Sequence, residues 1–170
     1  CTRTAEPCND DSHFLLDRCA SQNRSVKLEY IISTERHLLQ MDVVHALLAA
    51  SYWSPGIRRD IVETAARNSL VVGAYERSSG AQVGYARAIT DHATFAYLCD
   101  VIVAEPHRNK GLASRMVEAL EQTPTLGTLR RWCLATRDAH AVYAKRGYTP
   151  VPEGRWMEKK FPDAGWRDPS

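Results

Sequence analysis

Residues 98–113 decide the fold, because the apolar run Leu98-Cys99-Asp100-Val101-Ile102-Val103 is followed, after a short loop, by Arg108-Asn109-Lys110-Gly111-Leu112-Ala113. The first run is typical of a buried strand, and the second begins a helix. A helix N-terminus presents unpaired backbone N–H groups and about half a positive charge. Gly111 and Ala113 leave room for phosphates to approach the backbone, and Arg108 and Lys110 add positive charge. The stretch therefore predicts a phosphate site at a helix start.

The sequence lacks two motifs that are typical of other phosphate-binding sites, and their absence limits the kind of phosphate ligand to expect. No Gly-Lys-Ser/Thr follows the loop, so the pattern differs from the one that holds nucleoside triphosphates. The dinucleotide fingerprint Gly-x-Gly-x-x-Gly does not occur either. The stretch thus indicates a pyrophosphate, although Arg-x-x-Gly-x-Ala taken alone also occurs at ordinary solvated helix starts.

Strands and helices alternate on both sides of this stretch. Before it, the patterns predict a strand Val26–Ser33, a helix from Asp42, a second helix over 57–65, and a hairpin of Leu70–Arg77 and Ala81–Thr90. The strand Phe95–Val103 and the helix Asn109–Gln122 follow. After them come a strand Leu129–Thr136, a helix Ala139–Arg146 ended by Gly147, and a strand-like tail from Tyr148. This order predicts one α/β domain, a single mixed sheet flanked by helices.

The domain boundaries follow from the same patterns. Residues 1–25 are polar apart from one short apolar cluster and are expected to be an N-terminal extension. The domain should span residues 26–162, and residues 163–170 should form a C-terminal tail.

A second motif lies downstream. It predicts a helix that contains a tyrosine and is followed by a Gly-aromatic pair, in the run Asp138-Ala139-His140-Ala141-Val142-Tyr143-Ala144-Lys145-Arg146-Gly147-Tyr148. Together with the strand and Arg-x-x-Gly-x-Ala at the helix start, this order resembles the GNAT acetyltransferases. The resemblance covers about residues 26–160 in element order and about 95–148 in motif detail. It implies the GNAT fold, in which the mixed sheet is mostly antiparallel.

The resemblance also implies how acetyl-CoA, the co-substrate, is held. Pantetheine should pair with backbone groups of Val101–Val103 in the manner of an added strand. The pyrophosphate should lie on N–H groups from Asn109 to Ser114. The cofactor-binding residues expected from the resemblance are Val101, Ile102, Val103, Arg108, Asn109, Lys110, Gly111, Leu112, Ala113, Ser114 and Asp138. Two positions depart from the usual pattern, since Ala113 replaces a glycine and Asp138 replaces an asparagine.

Acyl transfer to an amine requires a base for the ammonium and an acid for the leaving thiolate. Tyr143 matches the family's acid, and the alternative is a core tyrosine near a helix end. Asp100 lies in an otherwise apolar strand, where burial should raise the pKa of a carboxylate and suit it to act as the base. The alternative for Asp100 is a carboxylate that satisfies backbone donors at a strand distortion, and a water relay is an alternative base.

The acceptor side is less clearly marked in the sequence. Tyr52 and Trp53 lie at the break between the first two helices, which overhangs the acceptor in this fold. Arg87 and Tyr97 lie on strands that border the same channel. These four residues are the predicted substrate-binding residues, and surface or core roles are the alternative for each.

The expected function is acetyl transfer from acetyl-CoA directly to a small-molecule amine in a ternary complex. The alternatives are a hydroxyl acceptor, a longer acyl group, or a CoA-binding module without turnover. The chain has the Arg-x-x-Gly-x-Ala loop, Tyr143 and Asp100, and their presence disfavours a CoA-binding module without turnover.

Composition excludes several other classes of protein. With 44% hydrophobic and 25% charged residues the chain is globular, and a net charge of +2 gives no reason to expect a nucleic-acid partner. No apolar run is long enough for a membrane span. Five irregularly spaced cysteines, without a Cys-x-x-Cys pair, predict neither a metal site nor a redox motif. We expect a cytoplasmic protein without a metal, as a monomer or homodimer.

Overall fold

A computed structural model describes residues 29–161 and 165–168. Within these residues lie five strands: β1 Tyr30–Ser33, β2 Leu70–Glu76, β3 Gln82–Thr90, β4 Phe95–Val103 and β5 Arg131–Leu134. The helices are α1 Met41–Ala49, α2 Arg59–Arg67, α3 Leu112–Glu121 and α4 His140–Ala144, and three short 3-10 turns cover Arg36–Leu38, Glu105–His107 and Pro124–Leu126. The extension at 1–25 and the first residues of the predicted strand, 26–28, lie outside the described residues. None of the described helices is long and apolar enough to cross a membrane.

The five strands form one sheet in the order β1-β2-β3-β4-β5. Each of the first three neighbouring pairs is antiparallel, and β4 pairs with β5 in parallel. The parallel pair is possible because α3 crosses over between its two strands. The single mixed, mostly antiparallel sheet expected from the sequence is therefore confirmed.

The sheet carries a hydrophobic core on each face. On one face, α3 packs Leu112, Met116 and Leu120 against inward-facing residues of all the antiparallel strands. On the other face, α1 and α2 pack against Tyr85 and its neighbours. Each of these three helices buries one stripe and exposes the opposite one, as the 3.6-residue spacing predicts.

Two predicted elements differ in the structure. The helix expected from Asn109 begins at Leu112, because Asn109 and Gly111 adopt left-handed φ angles of 62° and 71° that no right-handed helix contains. The tail from Tyr148 forms no strand within the described residues, since Pro150 and Pro152 cannot donate ladder hydrogen bonds. A cavity of about 550 Å³ lies between β5 and residues 146–155, where that strand was expected.

Candidate active site

Strand β4 contains a bulge at Asp100. Before the bulge, Ala96 is fully buried and Leu98 belongs to the core under α3; beyond the bulge, Val101 and Val103 pack on that core. The alternation therefore shifts by one residue, and Asp100 is the extra residue, with a φ of 56°. A bulge re-aims the side chain that it carries. Here it turns a carboxylate out of the alternating apolar pattern.

Beyond this point β4 and β5 separate. Strand β5 pairs with Phe95–Leu98, whereas residues 99–103 of β4 pair within the described chain with β3 alone. One edge of the end of β4 therefore presents backbone N–H and C=O groups without a ladder partner among the described residues. An extended ligand with amide groups can bind such an edge as an added strand. This edge includes Val101–Val103, the residues predicted to meet pantetheine.

The loop after β4 presents a row of backbone amides. None of the N–H groups from Asn109 to Ser114 donates a hydrogen bond to a residue that the structure describes, and the first helical bond runs from Arg115 N to the Gly111 carbonyl, 3.1 Å. The left-handed angles of Asn109 and Gly111 bend this segment into a concave turn before α3. Consecutive amides in such a turn bind anions, and the helix dipole adds to the attraction.

The basic side chains of this loop have structural partners. Arg108 Nε donates to the Val103 carbonyl over 3.1 Å and ties the loop to the end of β4. Lys110 Nζ donates to the Tyr30 hydroxyl over 2.8 Å, and His107 Nδ1 lies 2.8 Å from the same oxygen. The hydrogen bond with Tyr30 raises the pKa of Lys110, so the amine remains a cation. Sequence reasoning missed Tyr30 and His107, because nothing local links a residue of β1 to this loop.

A second group of polar side chains surrounds Asp100. Arg87 Nε donates to Asp100 Oδ2 over 2.5 Å, and Trp53 Nε1 donates to Oδ1 over 3.2 Å. The Arg87 side chain is 16% exposed and that of Asp100 13%, so the ion pair is largely shielded from water. Burial, the largest single effect, lowers the pKa of Arg87, but the charge of Asp100, its hydrogen bond to Arg87 and weaker neighbouring effects together outweigh it, and the net shift is upward. The sequence singled out Asp100 in an otherwise apolar strand, and the structure adds a cation on the neighbouring strand β3, Arg87, as its partner.

Tyr143 on α4 lies beside this group. Its side chain packs against the core under α3, as do Val101 of β4 and Leu134 of β5. Burial, and then the neighbouring Tyr52, raise the pKa of Tyr143, so the phenol keeps its proton at neutral pH. The Tyr52 ring in turn meets the Trp53 ring edge to face, with the centroids 4.9 Å apart. Tyr143 thus interacts electrostatically with Tyr52, and direct contacts continue from Tyr52 through Trp53 to Asp100.

Two predicted residues lie less centrally. Asp138 is exposed, and its carboxylate lies 3.7 Å from the guanidinium of Arg137, whose Cζ is 3.7 Å from the Tyr52 ring centroid. Tyr97 lies on β4 before the bulge, and burial raises the pKa of its phenol. The structure therefore joins Tyr52 to Trp53, Trp53 to Asp100 and Asp100 to Arg87 by successive contacts, and Tyr143 interacts electrostatically with Tyr52. Among the described residues, no three His, Cys, Asp or Glu side chains are grouped as metal ligands.

Comparisons with known proteins identify one family. The sequence model of the acetyltransferase (GNAT) family matches residues 36–148. A candidate acetyltransferase of Gibberella zeae is 32% identical, over 69% of this chain and 77% of its own length.

Solved structures give the same result. A candidate GNAT acetyltransferase from Xanthomonas campestris pv. campestris superposes with a TM-score of 0.73 at 38% identity, over 78% of this chain and 94% of that one. The glucosamine-6-phosphate N-acetyltransferase of Arabidopsis thaliana shares the fold, with a TM-score of 0.59 at 16% identity, over 78% of this chain and 98% of that one. The chain therefore belongs to the GNAT family of acetyltransferases.

Proposed function

We propose that this protein transfers the acetyl group of acetyl-CoA directly to the amino group of a small molecule. The observation that carries the proposal is the continuity of the site. Amides without a hydrogen-bond acceptor at 109–114 lead along the edge of β4 at Val101–Val103, which has no ladder partner among the described residues, to Asp100, and Tyr143 packs on the same core as Val101. A pyrophosphate, an amide-bearing arm and a thioester require such surfaces in this order.

Acetyl-CoA supplies an activated acyl group, and the residues present fit its parts. The amides from Asn109 to Ser114 would hold the pyrophosphate, with Lys110 adding charge. The edge of Val101–Val103 would pair with the amides of the pantetheine arm. Because these contacts would be made by backbone, the side chains of Val101 and Val103 can stay packed on the core under α3.

The proton transfers can be assigned to residues of the chain. The amine nitrogen forms a bond to the thioester carbonyl carbon, and the carbon–sulfur bond then breaks. Tyr143 donates its phenolic proton to the leaving thiolate; burial raises the pKa of this phenol, so the proton is present at neutral pH. Asp100 accepts the proton of the amine, directly or through water. Arg87 and Trp53 fix the direction in which its carboxylate points.

We predict that Asp100→Asn lowers kcat/KM near neutral pH by about tenfold or more, since an amide cannot accept the proton and water replaces a base only in part. The variant also leaves the largely buried Arg87 cation without its counter-charge, and an unpaired buried charge destabilises the folded protein. Thermal unfolding must therefore be measured beside the rate. Wild-type kcat/KM across pH 6 to 8 in the variant would show that Asp100 is not the base.

We predict that no acetyl-cysteine forms on the pathway. Burial raises the pKa of Cys99 to about 12 and also raises that of Cys133, so both remain thiols at neutral pH. A thiol is a far weaker nucleophile than a thiolate. Intact-mass spectrometry after incubation with acetyl-CoA alone should show no stoichiometric adduct on Cys99 or Cys133. An adduct there that an added amine discharges would contradict direct transfer.

The experiment that tests the function is thiol release from acetyl-CoA in the presence of a panel of primary amines. The thiol signal of the protein's own cysteines is measured in a control without acetyl-CoA and subtracted. Matched alcohols and longer acyl-CoA donors are tested in parallel. We expect saturable release with at least one amine and acetyl-CoA. Release with alcohols alone, or with longer acyl groups alone, would replace the proposed acceptor or donor. CoA binding without release for any acceptor would indicate a binding module.

A further inference from the structure

The C-terminal residues 165–168 return to the loop that follows α1. Ile57 and Arg167 form an antiparallel bridge. Arg58 N donates to the Trp166 carbonyl, and Asp168 N donates to the Gly56 carbonyl, each over 3.0 Å. The tail is thus joined to three consecutive residues of this loop.

One side chain adds to this backbone pairing. Arg58 Nη1 donates to the Gly165 carbonyl over 3.0 Å, while its Nε and Nη2 bond the carboxylate of Asp60. The Arg167 guanidinium lies 4.1 Å from the ring centroid of Trp166. These contacts connect the tail to both the loop and the first turn of α2.

The same loop carries the aromatic residues of the candidate active site. Trp53, three residues before Gly56, holds the Asp100 carboxylate, and Tyr52 lies next to Tyr143. The loop is also tied to α1 by hydrogen bonds of its own, since Gly56 N donates to the Ala49 carbonyl and Ser54 Oγ to the Leu48 carbonyl, each over 3.0 Å. Tyr52 and Trp53 are 49% and 39% exposed, and the Arg137 guanidinium lies over the Tyr52 ring. The tail pairs with the loop immediately beyond them.

We propose that residues 165–168 position the acceptor-binding loop, residues 52–58, and so set the affinity for the amine. The inference rests on the proposed function, because it assigns the loop to the acceptor. Without the tail, the loop samples conformations in which Trp53 and Tyr52 do not face Asp100. The apparent affinity for the acceptor then falls with the fraction of molecules whose loop is competent. The amides at 109–114, which would hold acetyl-CoA, make no contact with the tail and keep their affinity.

The test uses a stop after Phe161 and a matched pair of full-length variants. Every residue of both hydrophobic cores precedes the stop, so the fold should persist. Asp168→Pro removes the N–H that bonds to Gly56, and Asp168→Ala keeps that N–H while removing the carboxylate. Hydrogen exchange of a peptide covering 52–58 is measured without substrates, together with the acceptor KM, kcat and the acetyl-CoA dissociation constant.

We expect faster exchange at 52–58 in the stop variant, because the Arg58 amide loses its acceptor. The acceptor KM should rise about tenfold, because the stop variant loses a few hydrogen bonds that order the loop. The acetyl-CoA dissociation constant should stay within twofold of the wild-type value. Asp168→Pro should show a smaller shift in the same direction, and Asp168→Ala none.

Two results would overturn the proposal. Exchange at 52–58 that is the same with and without the tail would show that the tail does not restrain the loop. Faster exchange with an unchanged acceptor KM would show that the restraint has no part in acceptor binding. A wild-type protein that acetylates no amine would refute the proposed function instead, while the exchange measurement still decides whether the tail orders the loop.

Discussion

Tyr143→Phe should lower kcat by about 10²–10⁴-fold, the usual effect of removing a general acid. The substitution keeps the ring, which packs against the core under α3 and meets Tyr148 edge to face at a centroid distance of 5.7 Å. It removes the hydroxyl alone, so the fold and the affinity for acetyl-CoA should be retained. The departing thiolate would then leave without a proton donor, and that penalty falls on the chemical step.

Tyr148→Phe is the matched control for this experiment. Tyr148 is the neighbouring partly buried tyrosine, and burial likewise raises the pKa of its phenol. Its hydroxyl donates to Glu121 over 3.0 Å and has no place in the proposed reaction. We expect Tyr148→Phe to keep kcat within a few-fold. Wild-type kcat for Tyr143→Phe, measured by single turnover so that product release does not mask the chemistry, would remove Tyr143 from the mechanism.

Gly111→Glu should abolish measurable binding of acetyl-CoA. Gly111 has a φ of 71°, and a Cβ built there meets no atom within 4 Å, so the side chain does not prevent folding by a clash. The added carboxylate would lie at the start of α3 beside the unpaired amides and repel the pyrophosphate. Calorimetric titration with CoA, on protein whose thermal unfolding matches the wild type, measures the effect.

Gly111→Ala separates backbone strain from charge. An alanine in the left-handed region costs about 1 kcal/mol or slightly more, which should weaken CoA binding without abolishing it. The charge effect is then the difference between the two variants. A folded Gly111→Glu protein that binds CoA with wild-type affinity would contradict the placement of the pyrophosphate.

The sequence predicted the strands and helices that are determined by a pattern of neighbouring residues. The strand Phe95–Val103 has the predicted bounds, because an unbroken apolar run between turn signals leaves few alternatives. The helix start was placed three residues early, since periodicity cannot show that Asn109 and Gly111 leave the right-handed region. Proline at 150 and 152 is visible in the sequence, and it should have argued against a strand from Tyr148.

The contacts around Asp100 could be predicted only in part. A carboxylate inside an apolar strand is a local signal, and it singled out the residue. Its partners depend on the register between β3 and β4 and on the position of the loop carrying Trp53, which no local pattern encodes. The bridge between Ile57 and Arg167 spans most of the chain and has no sequence signature.

The most direct test of the account is a crystal structure of the protein with bound CoA. The proposal places the pyrophosphate on the amides from Asn109 to Ser114 and the pantetheine amides on Val101–Val103. It also predicts that the CoA sulfur lies within about 3.5 Å of the Tyr143 hydroxyl, the distance that proton donation requires. A CoA molecule bound elsewhere, or bound along β4 with its sulfur far from Tyr143 and Asp100, would contradict it.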